Sequence, residues 1–395
     1  MPMDIIEELL TRGVENIISD KKSLEKLLRS GKKLNIYLGI DPTATHIHIG
    51  HAVPLRKLQQ FASLGHHITF LIGDFTALIG DTSDKDGERP VLTYEQIQEN
   101  FQTYKKQAEK ILDFDHVTVR HNSEWLAPLQ FADIIKLAQH FGAGDFVSRE
   151  LIKKRLQDKK HVGLHELLYP VMQGYDSYFL DTDIQLGGTD QTFNMQAGRT
   201  LQKDLRDKES YIIANGFLEG TDGRKMSKSW GNAIWLDDTP NDIYGKIMSL
   251  KDELIIPYFT LATCVTPTQI EEMKQRIQSG ENPMVLKKEL AKTMVAELHG
   301  AKEAGEAETN FTSMFQKKSL DSTDIPELSL AKNSGNILDI LVENKLVTSK
   351  SEARRLFDGG ALELNEQKIT DTTISLKNHD ILKIGKKKFY KIIFS

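Results

Sequence analysis

Tyr37-Leu38-Gly39-Ile40-Asp41-Pro42-Thr43-Ala44-Thr45-His46-Ile47-His48-Ile49-Gly50-His51 begins as a strand and ends as the first turn of a helix. Asn35 to Ile40 reads as a short apolar strand, and Asp41-Pro42-Thr43 is turn chemistry with proline fixing φ. From Ile49 through Leu64 the pattern is helical, with Leu55, Leu58, Phe61 and Ala62 on one side. Thr45 or His46 is placed to cap it, and Pro54 predicts an irregular first turn. A tight strand-to-helix turn presents free N–H groups and a positive dipole end, where a phosphate is well held. His48 and His51 are three apart, so both can face that anion. On chemistry alone the favoured reading is two solvated or locally hydrogen-bonded imidazoles, with a metal site including His46 as a weaker alternative. No second ligand cluster is visible and the single cysteine, Cys264, is far away, so no metal is expected.

The chain has 395 residues, enough for two or three domains. With 39% hydrophobic and 27% charged residues it reads as a globular enzyme rather than a disordered chain. One cysteine fits a reducing compartment, the acidic start Met1–Glu8 is no secretory signal, and no apolar run spans a bilayer. A cytoplasmic protein without a membrane partner is the expectation. The net charge of −5 argues against a wholesale nucleic-acid binder. Residues 331–395, however, hold 12 Lys and Arg against 8 Asp and Glu, while residues 1–330 hold 39 against 48. That basic end, densest at Lys386-Lys387-Lys388, is either a solvated edge or an RNA-facing patch.

Residues 4–30 read as mostly helix, with a break near Gly13. After the opening strand and helix come a second strand at His67–Gly73, a helix over 94–113, a third strand at His116–Val119 and a helix from Phe131 to Phe141. The alternation predicts a Rossmann-like, doubly wound α/β domain with a parallel sheet and a ligand crevice at the strand C-terminal ends. Tyr169, Gln173 and Asp176 fall at i, i+4 and i+7 of a helix, interleaved with Val171, Met172 and Tyr175, which suits a partly buried polar stripe around a ligand. Ile184–Gln191 reads as a strand end, a glycine turn and an acid–amide pair. Gly223-Arg224-Lys225-Met226-Ser227-Lys228-Ser229 is a basic loop, either merely solvated or a mobile clamp for phosphate charge. The predicted organisation is a catalytic domain over 1–232, an α-helical domain over 233–325, a linker at 326–334 and a small α+β module over 335–395.

His48-Ile49-Gly50-His51 and Lys225-Met226-Ser227-Lys228-Ser229 resemble the HIGH and KMSKS motifs of class I aminoacyl-tRNA synthetases, in that order. The residues between them, including Tyr169-Pro170-Val171-Met172-Gln173-Gly174-Tyr175-Asp176 and Gly187-Gly188-Thr189-Asp190-Gln191, resemble the bacterial tyrosyl-tRNA synthetases, and the similarity covers nearly the whole chain. The last segment resembles their small RNA-binding module. The resemblance implies a ligase that activates L-tyrosine with ATP and Mg2+ and transfers it to tRNA(Tyr), working as a homodimer.

It also implies site residues. Tyr37 and Asp176 would hold the substrate phenol, and Asp81, Tyr169 and Gln173 its ammonium, with Gln191 nearby. Gly39, Asp41, Gly188 and Asp190 would line the adenosine side, with His48, His51, Lys225, Met226 and Lys228 at the ATP. Thr43, His48, His51, Lys225, Lys228, Lys85 and Arg89 would stabilise charge on the transferring phosphate. Lys350, Arg354, Arg355 and Lys386, Lys387 and Lys388 would contact RNA. Leu38 departs from the pattern, standing where some relatives carry a small polar residue. The rival readings are a tryptophanyl-tRNA synthetase, a synthetase-like RNA-binding protein without activity, and a small-molecule nucleotidyltransferase.

Overall fold

A six-stranded sheet organises the first of two compact units, Met1–Glu308 and Thr309–Ser395. The computed structural model describes residues 4–81, 92–227, 230–313, 326–330, 334–344, 346–347, 349–365, 367–385 and 388–394. The sheet strands are β1 (Val14–Ile18), β2 (Asn35–Ile40), β3 (His67–Ile72), β4 (Thr118–His121), β5 (Ile184–Gly188) and β6 (Tyr211–Asn215). They lie in the order β1-β6-β5-β2-β3-β4. All pairings are parallel except β1 with β6. From β2 the chain winds to one side through β3 and β4, then returns to lay β5 and β6 on the other. The order reverses between β2 and β5, and in such sheets the ligand crevice opens at that point.

The Ile49–Ser63 helix makes the crossover from β2 to β3 and buries Ile49, Ala52, Val53, Leu55, Leu58, Phe61 and Ala62 against the sheet. Its cap is His48, not Thr45 or His46, and Pro54 lies in the second turn of an uninterrupted helix. Residues 4–30 do break at Gly13, but a strand and not a helix follows the break. Helices Ile5–Leu9 and Lys21–Arg29 flank β1, which pairs with the edge of β6. Gly13, at φ 67°, turns the chain, and the β-branched Val14, Ile17 and Ile18 suit a strand once an edge is offered. The third strand runs two residues later than expected, because Phe114–His116 forms a 3-10 turn, and the helix beginning at Tyr94 stops at Ala108.

Helices Pro240–Met248, Ile255–Ala262, Pro267–Gln278, Pro283–His299 and Ala301–Phe311 follow the sheet. Three of them begin with proline at the first position behind a capping Thr239, Thr266 or Asn282. Tyr244, Tyr258 and Phe259 are fully buried among them.

In the second unit β7 (Glu327–Leu330), β9 (Leu362–Leu364), β10 (Gln367–Lys368), β12 (Ile381–Ile384) and β13 (Lys388–Phe394) form one sheet, and β8 (Ser334–Asn336) pairs with β11 (Thr373–Ser375). Helices Ile337–Glu343 and Lys350–Asp358 contribute Leu338, Leu341 and Ala353 to a core shared with Leu328, Leu382 and Ile392. Among the described residues no helix is long and apolar enough to cross a membrane.

Candidate active site

The crevice at the β2–β5 reversal is a cleft of about 530 Å3, within the range of small-molecule sites. It gathers Tyr37, Gly39, Asp41, Thr43, His48, His51, Asp81, Tyr169, Gln173, Asp176, Gly188, Asp190, Gln191, Lys225 and Met226, which sequence reasoning had named. Lys85, Arg89 and Lys228 lie outside the described residues.

Its inner end is apolar, with Tyr37, Leu71, Trp125 and Leu126 packed together under Met172 and Tyr175. Tyr37 and Gln185 are register partners on β2 and β5, and the Tyr37 hydroxyl donates to Gln185 Oε1 at 3.1 Å. Asp176 is 3% exposed. Its Oδ1 accepts from Trp125 Nε1 at 2.7 Å and its Oδ2 from Asn122 Nδ2 at 3.2 Å. Both donors favour the charged form, yet burial outweighs them and, with Asp41 and Asp74 nearby, pushes the carboxyl up to about 7.

A chain of hydrogen bonds leaves this point. Asn122 Nδ2 donates to Thr76 Oγ1 at 3.0 Å, Thr76 Oγ1 to Asp41 Oδ1 at 2.7 Å, and Tyr169 Oη to Asp41 Oδ2 at 2.9 Å. The expected phenol-side Asp176 and adenosine-side Asp41 therefore belong to one hydrogen-bond network, buried at Asp176 and partly exposed at Asp41. Beside it, Asp81 Oδ2 accepts from Gln191 Nε2 at 2.7 Å and Asn194 Nδ2 at 3.4 Å.

The outer end carries the two histidines. The His48 N–H donates to His51 Nδ1 at 3.3 Å, which holds the rings 4.0 Å apart between centroids. Gly50 is required there, since a Cβ would stand 2.9 Å from His48 Nδ1. Burial, reinforced by His51 and Lys225, pushes His48 down to about 3, so its imidazole is neutral at physiological pH. Backbone bonds stitch this turn to the segment behind the basic loop: Ile49 N–H donates to the Ile234 carbonyl at 2.8 Å, and Leu236 N–H to that of Ile47 at 3.0 Å. Met226 is buried and Lys225 is exposed at the rim. Leu38 is buried and lines the cleft with an apolar side chain.

Sequence reasoning missed Thr76, Asn122, Trp125, Gln185 and Asn194. Gln185, a polar residue in the buried strand Ile184–Gly188, and Asn122, just past the C-terminal end of β4, carried a signal. The others lie in unremarkable local sequence. In the second unit Lys350, Arg354, Arg355 and Lys388 are exposed, with Lys350 paired to Asp339 at 2.6 Å and Arg354 to Asp358 at 3.4 Å. Lys386 and Lys387 lie outside the described residues. Among the described residues no three His, Cys, Asp or Glu side chains converge as for a metal ion.

The family described as tRNA synthetases class I (W and Y) matches residues 29–316, and the one described as tyrosine–tRNA ligase SYY-like C-terminal domain matches residues 318–392. A tyrosine–tRNA ligase of Carboxydothermus hydrogenoformans is 44% identical over 413 residues, covering 100% of both chains. One of Thermotoga maritima is 41% identical over 390 residues, covering 98% of this chain and 96% of its own. The crystal structure of the Archaeoglobus fulgidus tyrosyl-tRNA synthetase complexed with L-tyrosine matches with a TM-score of 0.62 at 23% identity, over 77% of this chain and 100% of that one. At that identity the structural match speaks to the fold, and the matched full-length sequences speak to the family. The chain belongs to the tyrosine–tRNA ligases, within the class I tRNA synthetases.

Proposed function

We propose that this protein activates L-tyrosine with ATP, releasing pyrophosphate, and passes the tyrosyl group to the 3′ end of tRNA(Tyr). The observation that carries this reading is one cleft with a buried carboxylate, Asp176, at its apolar end and a pair of histidines at its open end. The phenol hydroxyl donates to Asp176 and meets Tyr37, and the α-ammonium sits against Asp81 with Tyr169, Gln173 and Gln191 around it. The substrate carboxylate then faces the α-phosphorus of ATP. Gly39, Asp41, Gly188 and Asp190 border the adenosine. Thr43, His48 and His51 stabilise charge on the phosphates, joined by Lys225 with Met226 at the rim of the cleft and by Lys228, Lys85 and Arg89. No side chain need form a covalent bond, since positioning and charge stabilisation suffice. Mg2+ enters as the counter-ion of ATP.

The second unit supplies the cations for RNA, along Lys350, Arg354 and Arg355 on one helix and Lys388 at the start of β13, with Lys386 and Lys387 before it in the sequence. Its match to the tyrosine-specific module supports tyrosine over tryptophan. Charging assays with every amino acid are expected to load tyrosine alone, and loading of tryptophan instead would sink the reading. The same assay on protein lacking residues 318–395 should lose tRNA charging while tyrosyl-adenylate formation persists. Loss of both would give that unit a folding role.

A homodimer working in the cytoplasm completes the proposal. Phe131 and Leu164 are 78% and 74% exposed, large apolar side chains of the kind a second copy would cover. Light scattering should return twice the 44.7 kDa chain mass; a monomer at micromolar concentration contradicts it.

A further inference from the structure

The basic loop is held by a residue beyond it. Asn232 is 3% exposed, and its side chain turns back into the loop. Nδ2 donates to Asp222 Oδ1 at 2.8 Å and to the Lys225 carbonyl at 3.1 Å. Oδ1 accepts the Ser227 N–H at 2.9 Å, and the Asn232 carbonyl accepts the Thr221 N–H at 3.0 Å. A single amide thus fixes the loop on both sides of Lys225, using both of its N–H groups and its oxygen. The loop is shaped to admit it. A Cβ at Gly220 would stand 2.4 Å from Asn232 Nδ2, and Gly223 takes φ 80° to close the turn in which Gly220 N–H meets the Arg224 carbonyl at 2.6 Å.

The anchor itself leads into a buried, backbone-bonded segment. Ala233, Ile234 and Leu236 are buried, and the Ile234 carbonyl accepts the N–H of Ile49, the first residue of the histidine-bearing helix. Asn232 therefore sits two residues from a backbone bond to the His48 turn, and it grips the backbone of Lys225 and Ser227 directly. Loop and helix start are registered to each other through it.

We propose that Asn232 is a positioning residue for the activation step, a latch that sets where Lys225 meets the leaving phosphates. The proposal rests on the adenylation reading above. It does not touch substrate; it acts through the Lys225–Ser227 backbone. Asparagine suits the role because aspartate keeps the acceptor for Ser227 but loses both donors and faces the Asp222 carboxylate.

The test uses the full chain carrying Asn232→Ala, Asn232→Asp, Lys225→Ala and the Asn232→Ala/Lys225→Ala pair. Tyrosine-dependent ATP–pyrophosphate exchange should fall about tenfold in kcat for either Asn232 variant, with the tyrosine KM within about twofold of wild type. In the Lys225→Ala background the Asn232→Ala change should cost less than about twofold, because the group it positions is gone. An equal loss in both backgrounds, or a loss falling on the tyrosine KM, overturns the proposal. Trypsin gives an answer independent of catalysis: cleavage after Arg224 and Lys225 in ligand-free protein should be faster in Asn232→Ala, and an unchanged rate overturns the latch. Wild-type protein without exchange activity would count against the adenylation reading, while the trypsin result still judges the latch.

Discussion

Asp176→Ala is expected to lower kcat/KM for tyrosine activation by about a thousandfold or more and to collapse the preference for tyrosine over phenylalanine. A pocket built to accept a hydroxyl rejects the analogue that lacks it because its own polar groups are then left unpaired. Asp176 is such a group: buried, already bonded by Trp125 and Asn122, and the carboxylate of the apolar end of the cleft. Removing it strands those two donors, each costing about 1–3 kcal/mol of stability. Asp176→Asn is therefore the fair comparison, since it keeps the volume and one acceptor. Steady-state exchange with each amino acid checks the ratio, and discrimination left intact in both variants would refute the phenol assignment.

The same carboxyl sets a pH dependence. Burial raises it from 3.8 to about 7, so the folded protein holds the proton where the unfolded chain has lost it. Its contribution to stability is fully present below pH 3.8 and is lost as the pH rises towards 7. On the proposed phenol assignment, tyrosine donates its hydroxyl and selects the ionised form. The tyrosine KM should thus rise as the pH falls below 7, approaching about tenfold per unit, and the dependence should flatten in Asp176→Asn.

His48→Ala should reduce kcat for adenylate formation by about a hundredfold to a thousandfold with little change in the tyrosine KM. On the proposed reading the ring stands at the phosphate end, and its Nδ1 is buried with no hydrogen-bond partner among the described residues. Because burial pushes it down to about 3, it acts as a neutral hydrogen-bonding group and not as a charge. Its removal should leave the shape of the pH–rate profile between 5 and 8 unchanged. Stopped-flow single-turnover measurements separate this step from binding; an effect confined to the tyrosine KM, or a lost titration in that range, would contradict the assignment.

Much of this site was legible because it is written locally. The strand Asn35–Ile40, the turn at Asp41-Pro42 and the helix bearing His48 and His51 follow from hydrophobic period and turn chemistry, and Tyr169, Gln173 and Asp176 from helical spacing. What was not legible depends on contacts distant in sequence. Val14–Ile18 becomes a strand only because β6 offers an edge. Asn122 and Thr76 acquire a role only when β3 and β4 bring them between Asp41 and Asp176. Asn232 looks like a turn residue until the loop folds back over its amide. The cap at His48 was missed because its partner is another histidine ring and not a side-chain oxygen on Thr45.

Amino-acid-dependent ATP–pyrophosphate exchange by the purified full chain tests the central claim most directly. Tyrosine alone should drive exchange, with phenylalanine and tryptophan near background. Exchange driven by tryptophan, or none with any amino acid, would contradict it.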